Sequence, residues 1–281
     1  MSPELLDKEI RATKKLTERN FGVNLIVMHP QLDQLIEVCN TNAISHVILA
    51  GGLPKLNHIQ QLKHANSKII CFAPTLAIAK KLIKNGVDAL IIEGMEAGGH
   101  IGPVSTLVLA QEILPYIDQV PVFVAGGIAR GESIAMLLKM GASGCQLGTR
   151  FVCARESIAH LNFKKAFIRA SARDAVPSVQ IDPDFPVIPV RSLANNATKE
   201  FIKTQIDTIN IYKSGQISKN EAQLIIENFW AGALKKAVID GDVENGSIMA
   251  GQSVGFVVSE QSVEEIIAEL LDQANGALHV S

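Results

Sequence analysis

The chain has 281 residues, of which 47% are hydrophobic and 19% charged, enough apolar material for a sizeable core and too much for wholesale disorder. Its 26 Lys and Arg stand against 28 Asp and Glu, a net charge of −2 that provides no basic stripe for a nucleic-acid backbone. The longest apolar runs are too short to span a bilayer, and residues 1–20 are a charged amphipathic stretch rather than a signal peptide, so a cytoplasmic protein with no membrane role is expected.

The chain opens on a predicted helix, with Ser2 as N-cap, Pro3 in the first helical position and Glu4 in an acidic first turn. Leu5, Leu6, Ile10 and Leu16 form its expected buried stripe. Six short runs rich in Val, Ile and Leu follow: FGVNLIVM from Phe21, HVILAGG from His46, KIICFAP from Lys68, DALIIEG from Asp88, VPVFVAGG from Val120 and GCQLGT from Gly144. Segments of helical period such as PQLDQLIEVCN, TLAIAKKLIKNG and GESIAMLLKMG lie between them, and Gly86 and Gly141 stand where left-handed caps would end two helices. Unbroken apolar strands alternating with helices predict a parallel sheet covered on both faces.

No G-x-G-x-x-G follows the first strand, which argues against an open dinucleotide-binding sheet. The glycines cluster instead after the last two strands, in AGGIARG and LGT, where a (βα)8 barrel builds its phosphate site. If GCQLGT is the eighth strand, the six visible units are the last six of a barrel. The fold expectation is therefore an α/β protein of the TIM-barrel type, lacking its first two βα units, with a helical insertion near the C-terminus.

Beyond Arg150 the pattern changes. Pro177, Pro183, Pro186 and Pro189 mark an irregular segment that suits neither a helix nor a central strand. Ser218 with Glu221, and Ser262 with Glu265, then fit the capping box at the head of two apolar-periodic helices. The expected organisation is a barrel core over 1–150, a mostly helical substrate-side insertion over 151–255, and a C-terminal helix within 256–281 that closes the barrel.

The sharpest chemical feature is EGMEAGGHIGP, Glu93 to Pro103, at the C-terminal end of a predicted strand. Its paired glycines let backbone approach a ligand, and His100 follows with a side chain suited to proton transfer near neutral pH. The competing reading is a loop histidine that serves a local hydrogen bond. AGGIARGES at 125–133 is a near miss of the P-loop, but Glu132 occupies the lysine position and would repel a nucleotide's phosphates. A Gly126–Gly127 turn opening a helix still offers free amides to a single phosphate, and Gly148–Thr149 after the next strand can add an amide and a hydroxyl. The remaining histidines show no metal-ligand spacing, so no metal is expected, and G-x-S-x-G is absent. Cys39, Cys71, Cys145 and Cys153 show no C-x-x-C pair and read as buried reduced thiols.

Together, FGVNL, EGMEAGGHIGP, VPVFVAGGIARG, GCQLGTRF and MAGQSVG resemble the nitronate monooxygenase (2-nitropropane dioxygenase-like) family, and about equally its FMN-dependent enoyl-ACP reductase II relatives. The resemblance runs from near Phe21 to the C-terminus and implies FMN at the C-terminal face of a barrel. It implies Asn24 near the flavin ring, Glu93 and Gly99 lining the FMN, and Gly126, Gly127, Gly148 and Thr149 around its phosphate. It further implies Gln252 approaching the cofactor from the last loop and His100 as catalytic acid/base. The glycine-rich first strand and helix of the family have no counterpart here. Three readings follow: an FMN oxidoreductase that oxidises alkyl nitronates with dioxygen; an FMN enzyme that reduces an enoyl thioester or quinone with NAD(P)H; and a non-catalytic remnant without FMN. The expected partner is a small-molecule substrate, a nitronate or enoyl thioester, with NAD(P)H as reductant and a homodimer left open.

Overall fold

Each of the six apolar runs becomes a strand of one parallel sheet. The computed structural model describes residues 1–185 and 187–279. Its first half runs α1 (Pro3–Leu16), β1 (Gly22–Ile26), α2 (Leu32–Thr41), β2 (His46–Ala50), α3 (Leu56–His64), β3 (Lys68–Phe72), α4 (Leu76–Lys84), β4 (Ala89–Glu93), β5 (Gly99–His100) and α5 (Thr106–Ile113). The second half runs β6 (Val122–Ala125), α6 (Gly131–Lys139), β7 (Gly144–Gln146), α7 (Thr149–Val152), α8 (Leu161–Arg169), β8 (Ala175–Pro177) and β9 (Val190–Leu193). It ends with α9 (Asn196–Lys213), α10 (Lys219–Val238), β10 (Ile248–Met249) and α11 (Val263–His279).

Two units can be distinguished, the first comprising Met1–Glu93, Val108–Val124 and Met140–Gly144. The six-stranded sheet runs β1-β2-β3-β4-β6-β7, so strands lie side by side in chain order with no reversal. That is the order of consecutive barrel staves, not of a doubly wound sheet with a switch point. Parallel register sets Val23 against Val47, Val47 against Ile69, and Cys71 against Leu90. β4 is buried from Ala89 to Ile92, as expected for a strand covered on both faces. β1 departs from that expectation. Val23 and Leu25 are buried while Gly22, Asn24 and Ile26 are exposed, because β1 is an outer strand with one paired neighbour.

Helix α1 begins as its sequence demands, with the Ser2 hydroxyl accepting the Leu5 N–H at 3.3 Å. Its buried stripe is narrower than expected. Leu6 and Ile10 are buried against the rest of the unit, whereas Leu5 lies a hundred degrees further round the helix and Leu16 ends it at 87% exposure. Gly86 and Gly141 do adopt positive φ, 90° and 104°.

One polar knot ties this unit together. The Asp88 carboxylate accepts the Lys63 ammonium on both oxygens at 2.8 Å and the Ile69 N–H at 2.8 Å. Burial pushes the Asp88 carboxyl up, but Lys63 and the Ile69 amide outweigh it and hold the group below the usual carboxylate range. A lowered native pKa contributes stability above the unfolded value of about 4, and that stability is lost as pH falls through the native value. Asp88→Asn should therefore cost about 1.5–3 kcal/mol at pH 7. Urea unfolding should show this difference closing as pH drops below about 4; a gap that persists in acid would show that the carboxylate charge is not its source.

The second unit comprises Gly94–Leu107, Ala125–Lys139 and Cys145–Ser281. In it α6 and α11 pack closely, and the Gly131 N–H donates to the Gln273 side chain at 2.8 Å. Any Cβ at Gly131 would overlap the backbone of Leu270 and Ala274. The capping boxes predicted at Ser218–Glu221 and Ser262–Glu265 are both formed. A second sheet, β10-β9-β5 with β8 on β9, was not legible in the sequence. Its strands are two to four residues long, and buried β9 carries Arg191 and Ser192, so no apolar run announces it. Pro177 sits on β8, which pairs on one side only, and Pro186 lies outside the described residues. Phe201 and Trp230 stack in the core between α9 and α10, with ring centroids 4.1 Å apart.

All four cysteines are free, three of them buried and Cys145 half-buried. Burial pushes the Cys39, Cys145 and Cys153 thiols up to about 11 and Cys71 to about 12, so none offers a thiolate at neutral pH. No helix among the described residues is long and apolar enough to cross a membrane.

Candidate active site

The loop after β4 is shaped by hydrogen bonds within the second unit. Met95 N–H donates to Val104 O at 2.7 Å, and Ala97 N–H turns back to Gly94 O at 3.1 Å. Between them the Glu96 carboxylate accepts the Thr106 N–H at 2.9 and 3.2 Å and the Thr106 hydroxyl at 2.9 Å. An anion at the start of α5 meets orphan amides and the positive end of the helix dipole, which explains the position. The Glu96 carbonyl in turn accepts the Gln252 N–H at 2.9 Å.

Glycines let the neighbouring segments close on this loop. Gly126 and Gly127 have φ of 101° and 69°, which side chains rarely adopt, and a Cβ on Gly127 would lie 2.8 Å from that of Glu96. The Thr106 hydroxyl also lies 3.0 Å from Gly126 O. A Cβ on Gly98 would stand 2.5 Å from the Gly251 nitrogen, and the Gly251 N–H donates to the Thr149 hydroxyl at 2.9 Å. Four segments distant in sequence are thus interlocked: 94–106, Gly126–Gly127, Thr149 and Gly251–Gln252.

The backbone amides of Gly126, Gly127, Gly148 and Thr149 donate to no protein acceptor among the described residues. Gly127 and Gly148 are exposed, and a Cβ on Gly148 would meet nothing within 4 Å. The Gly131 amide, by contrast, is taken by Gln273, so the helix it opens contributes its remaining first-turn donors only.

Gly99 has φ of 82° and pairs with Arg191, while His100 pairs with Val190 and its residue is exposed. Arg191 is only 2% exposed. Its Nε donates to Met95 O at 3.0 Å and one terminal nitrogen to Ala175 O, so a buried guanidinium pins the same loop from β9. Burial pulls this guanidinium below its ordinary value while the Glu96 charge partly restores it.

Of the residues expected from sequence, Gly99, His100, Gly126, Gly127, Gly148, Thr149 and Gln252 all lie in this unit. Asn24 and Glu93 belong to the first unit, Asn24 exposed in register with Ile48 on β1 and Glu93 half-buried as the last residue of β4. The sequence analysis gave no role to Glu96, Thr106, Arg191 or Gly251. Ser105 ahead of TLVLAQEI was a legible helix start, but only the structure brings Glu96 to it. Nothing in the local sequence marks Arg191 as buried.

The family model "NMO: Nitronate monooxygenase" matches residues 30–273. FabK from Thermotoga maritima is 32% identical, superposes with a TM-score of 0.87, and is covered over 83% of its length by 99% of this chain. The (3aS,4S,5R,7aS)-5-hydroxy-7a-methyl-1-oxo-octahydro-1H-indene-4-carboxyl-CoA dehydrogenase of Rhodococcus jostii is 28% identical over 96% of this chain and 82% of its own. A probable nitronate monooxygenase of Staphylococcus aureus is 25% identical over 96% of this chain and 84% of its own. The six-stranded parallel sheet, the interlocked glycine loops and the match over most of the length converge on one conclusion: the chain belongs to the nitronate monooxygenase family of oxidoreductases.

Proposed function

We propose that this protein is an FMN-dependent oxidoreductase of the nitronate monooxygenase type, oxidising alkyl nitronates with dioxygen. The observation that supports the flavin assignment is the set of unclaimed, exposed glycine amides at Gly127 and Gly148, each in a loop that follows a strand of the parallel sheet. Gly127 holds a turn that only glycine adopts easily, and Gly148 faces open space, so the residues present fit a phosphate group. Gly126, Gly127, Gly148 and Thr149 would hold that phosphate, with Gly99 and Gln252 of the same unit beside the cofactor. Bound FMN supplies the electron chemistry. His100 acts on the substrate as acid or base: its imidazole takes the carbon-bound proton of a neutral nitroalkane, or its imidazolium steadies the charge of a nitronate. Glu96 keeps the loop that carries His100 closed, through Thr106 on one side and Gln252 on the other.

A second reading has its own support, because FabK, at 32% identity, matches more closely than the nitronate monooxygenase relative at 25%. In that reading NAD(P)H is the reductant and an enoyl thioester the acceptor. Oxygen uptake with a preformed alkyl nitronate and no NAD(P)H supports the first reading. NAD(P)H consumption that requires an enoyl thioester supports the second. A protein that shows no flavin spectrum and takes up no added FMN refutes both.

Gly148→Leu tests the phosphate cradle separately from folding. With φ of −105° and open space at its Cβ, the site accepts a side chain without strain. The variant should unfold like the wild type but bind FMN about tenfold more weakly or worse, because the backbone N–H remains while the added side chain takes the open space a phosphate would need. Unchanged FMN affinity, read by flavin fluorescence quenching, would remove Gly148 from the site.

A further inference from the structure

A cavity of about 1050 Å³ opens in the second unit, apart from the glycine loops, between α8, the turn that follows it, the start of α9 and β10. Ligand pockets commonly run from about 300 to 1,000 Å³, so this one has room for a ligand of coenzyme size. Lys165, Arg169, Arg173 and Lys199 line it against two carboxylates, Asp174 and Glu244. Two positive charges in excess therefore surround one cavity in a chain whose net charge is −2. Asp174 is turned to local work, its carboxylate accepting the Ser171 N–H at 2.7 Å and the Ser171 hydroxyl at 2.8 Å.

The fold gains little from these cations. None of the four is within ion-pair distance of a carboxylate among the described residues. Lys165 and Arg169 stand four apart on α8, a spacing at which like charges destabilise a helix. Lys199 lies close to the N-terminus of α9, the end where the helix dipole disfavours a cation. Below the charged rim the lining turns apolar, with Ala166, Val176, Leu193, Ile202 and Ile248, and Leu193 and Ile248 are buried. Asn162 and Asn196 line it too, the Asn162 amide donating to Gly241 O at 3.2 Å.

We propose that this cavity binds the diphosphate portion of a nucleotide-bearing small molecule, with the cations on the phosphates and the apolar floor under the organic part. Coenzyme A thioesters and NAD(P)H share that ADP group, and the cavity chemistry fits the group rather than either carrier. The assignment does not require the flavin site to be correct.

The test is calorimetric titration of the full-length chain with ADP, carried out with saturating FMN so that the glycine cradle is not the site measured. ADP should bind, adenosine should bind far more weakly, and the affinity should fall as salt rises. Arg169→Ala with Arg173→Ala should weaken ADP about tenfold or more. Both side chains are exposed, so the fold should be unaffected. Glu244→Gln removes an opposing charge and should tighten binding about two- to threefold. Parallel titrations with coenzyme A and NADPH identify the carrier, since the true source should bind more tightly than ADP alone. Failure of ADP, coenzyme A and NADPH to bind at millimolar concentration would overturn the proposal. So would ADP affinity unchanged in both the double variant and Glu244→Gln.

Discussion

Replacing His100 with alanine is expected to lower turnover of a neutral nitroalkane by ~10²–10⁴-fold while sparing most turnover of the preformed nitronate. The asymmetry follows from the proposed role. A neutral nitroalkane must give up a carbon-bound proton, and a nitronate has already lost it. The proposed phosphate cradle lies in other loops, those of Gly127 and Gly148, so FMN content should be unchanged in the variant. Oxygen uptake with each form of the substrate, beside a flavin spectrum, reads all three quantities. Wild-type turnover of the neutral nitroalkane would remove His100 from the chemistry. Loss of FMN together with both activities would make it a structural residue.

The largest effect on stability is expected at Arg191. Removing its side chain in Arg191→Ala leaves Met95 O and Ala175 O without their donor inside the protein and empties a buried volume. Each stranded acceptor costs about 1–3 kcal/mol, so about 3–5 kcal/mol in all is expected. In urea the midpoint should fall with little change in slope. Arg191→Lys keeps the charge but replaces a planar fork with a single ammonium, and should recover only part of the loss. Because Arg191 also pins the loop that leads to His100, FMN affinity should fall in step with stability across the two variants. A variant as stable as the wild type would show that water replaces the guanidinium at no cost.

The fold was legible where burial is written as periodicity. Val, Ile and Leu runs placed six strands to within two or three residues, and Gly86 and Gly141 fixed two helix ends. Helix caps were equally plain, because Ser2, Ser218 and Ser262 each answer an orphan amide three residues on. What escaped the sequence depends on contacts made far along the chain. β9 is buried yet polar at Arg191 and Ser192, and β5 has two residues, so neither carries a local signature. Leu5 and Leu16 misled for the same reason in reverse: apolar side chains at helical spacing were taken as core, but tertiary packing used only Leu6 and Ile10. In the candidate site, glycines and His100 stood out by type. Glu96 did not, since a carboxylate beside glycines looks the same whether it is solvated or caps a helix ten residues away.

The Gly251 N–H bond to Thr149 spans 102 residues. A chain that leaves the ribosome at about 5–20 residues per second therefore presents Thr149 roughly 5–20 seconds before the segment that locks it. The parallel strands end at Gln146 and can pair during that interval, while the loops above Gly127 and Gly148 still lack Gly251 and Gln252. On the proposed function, cofactor capture would be a late event in biosynthesis. If FMN is bound as proposed, starving cells of flavin should leave a chain with its sheet assembled and the segment beyond Thr149 more loosely held, the part a protease would reach first.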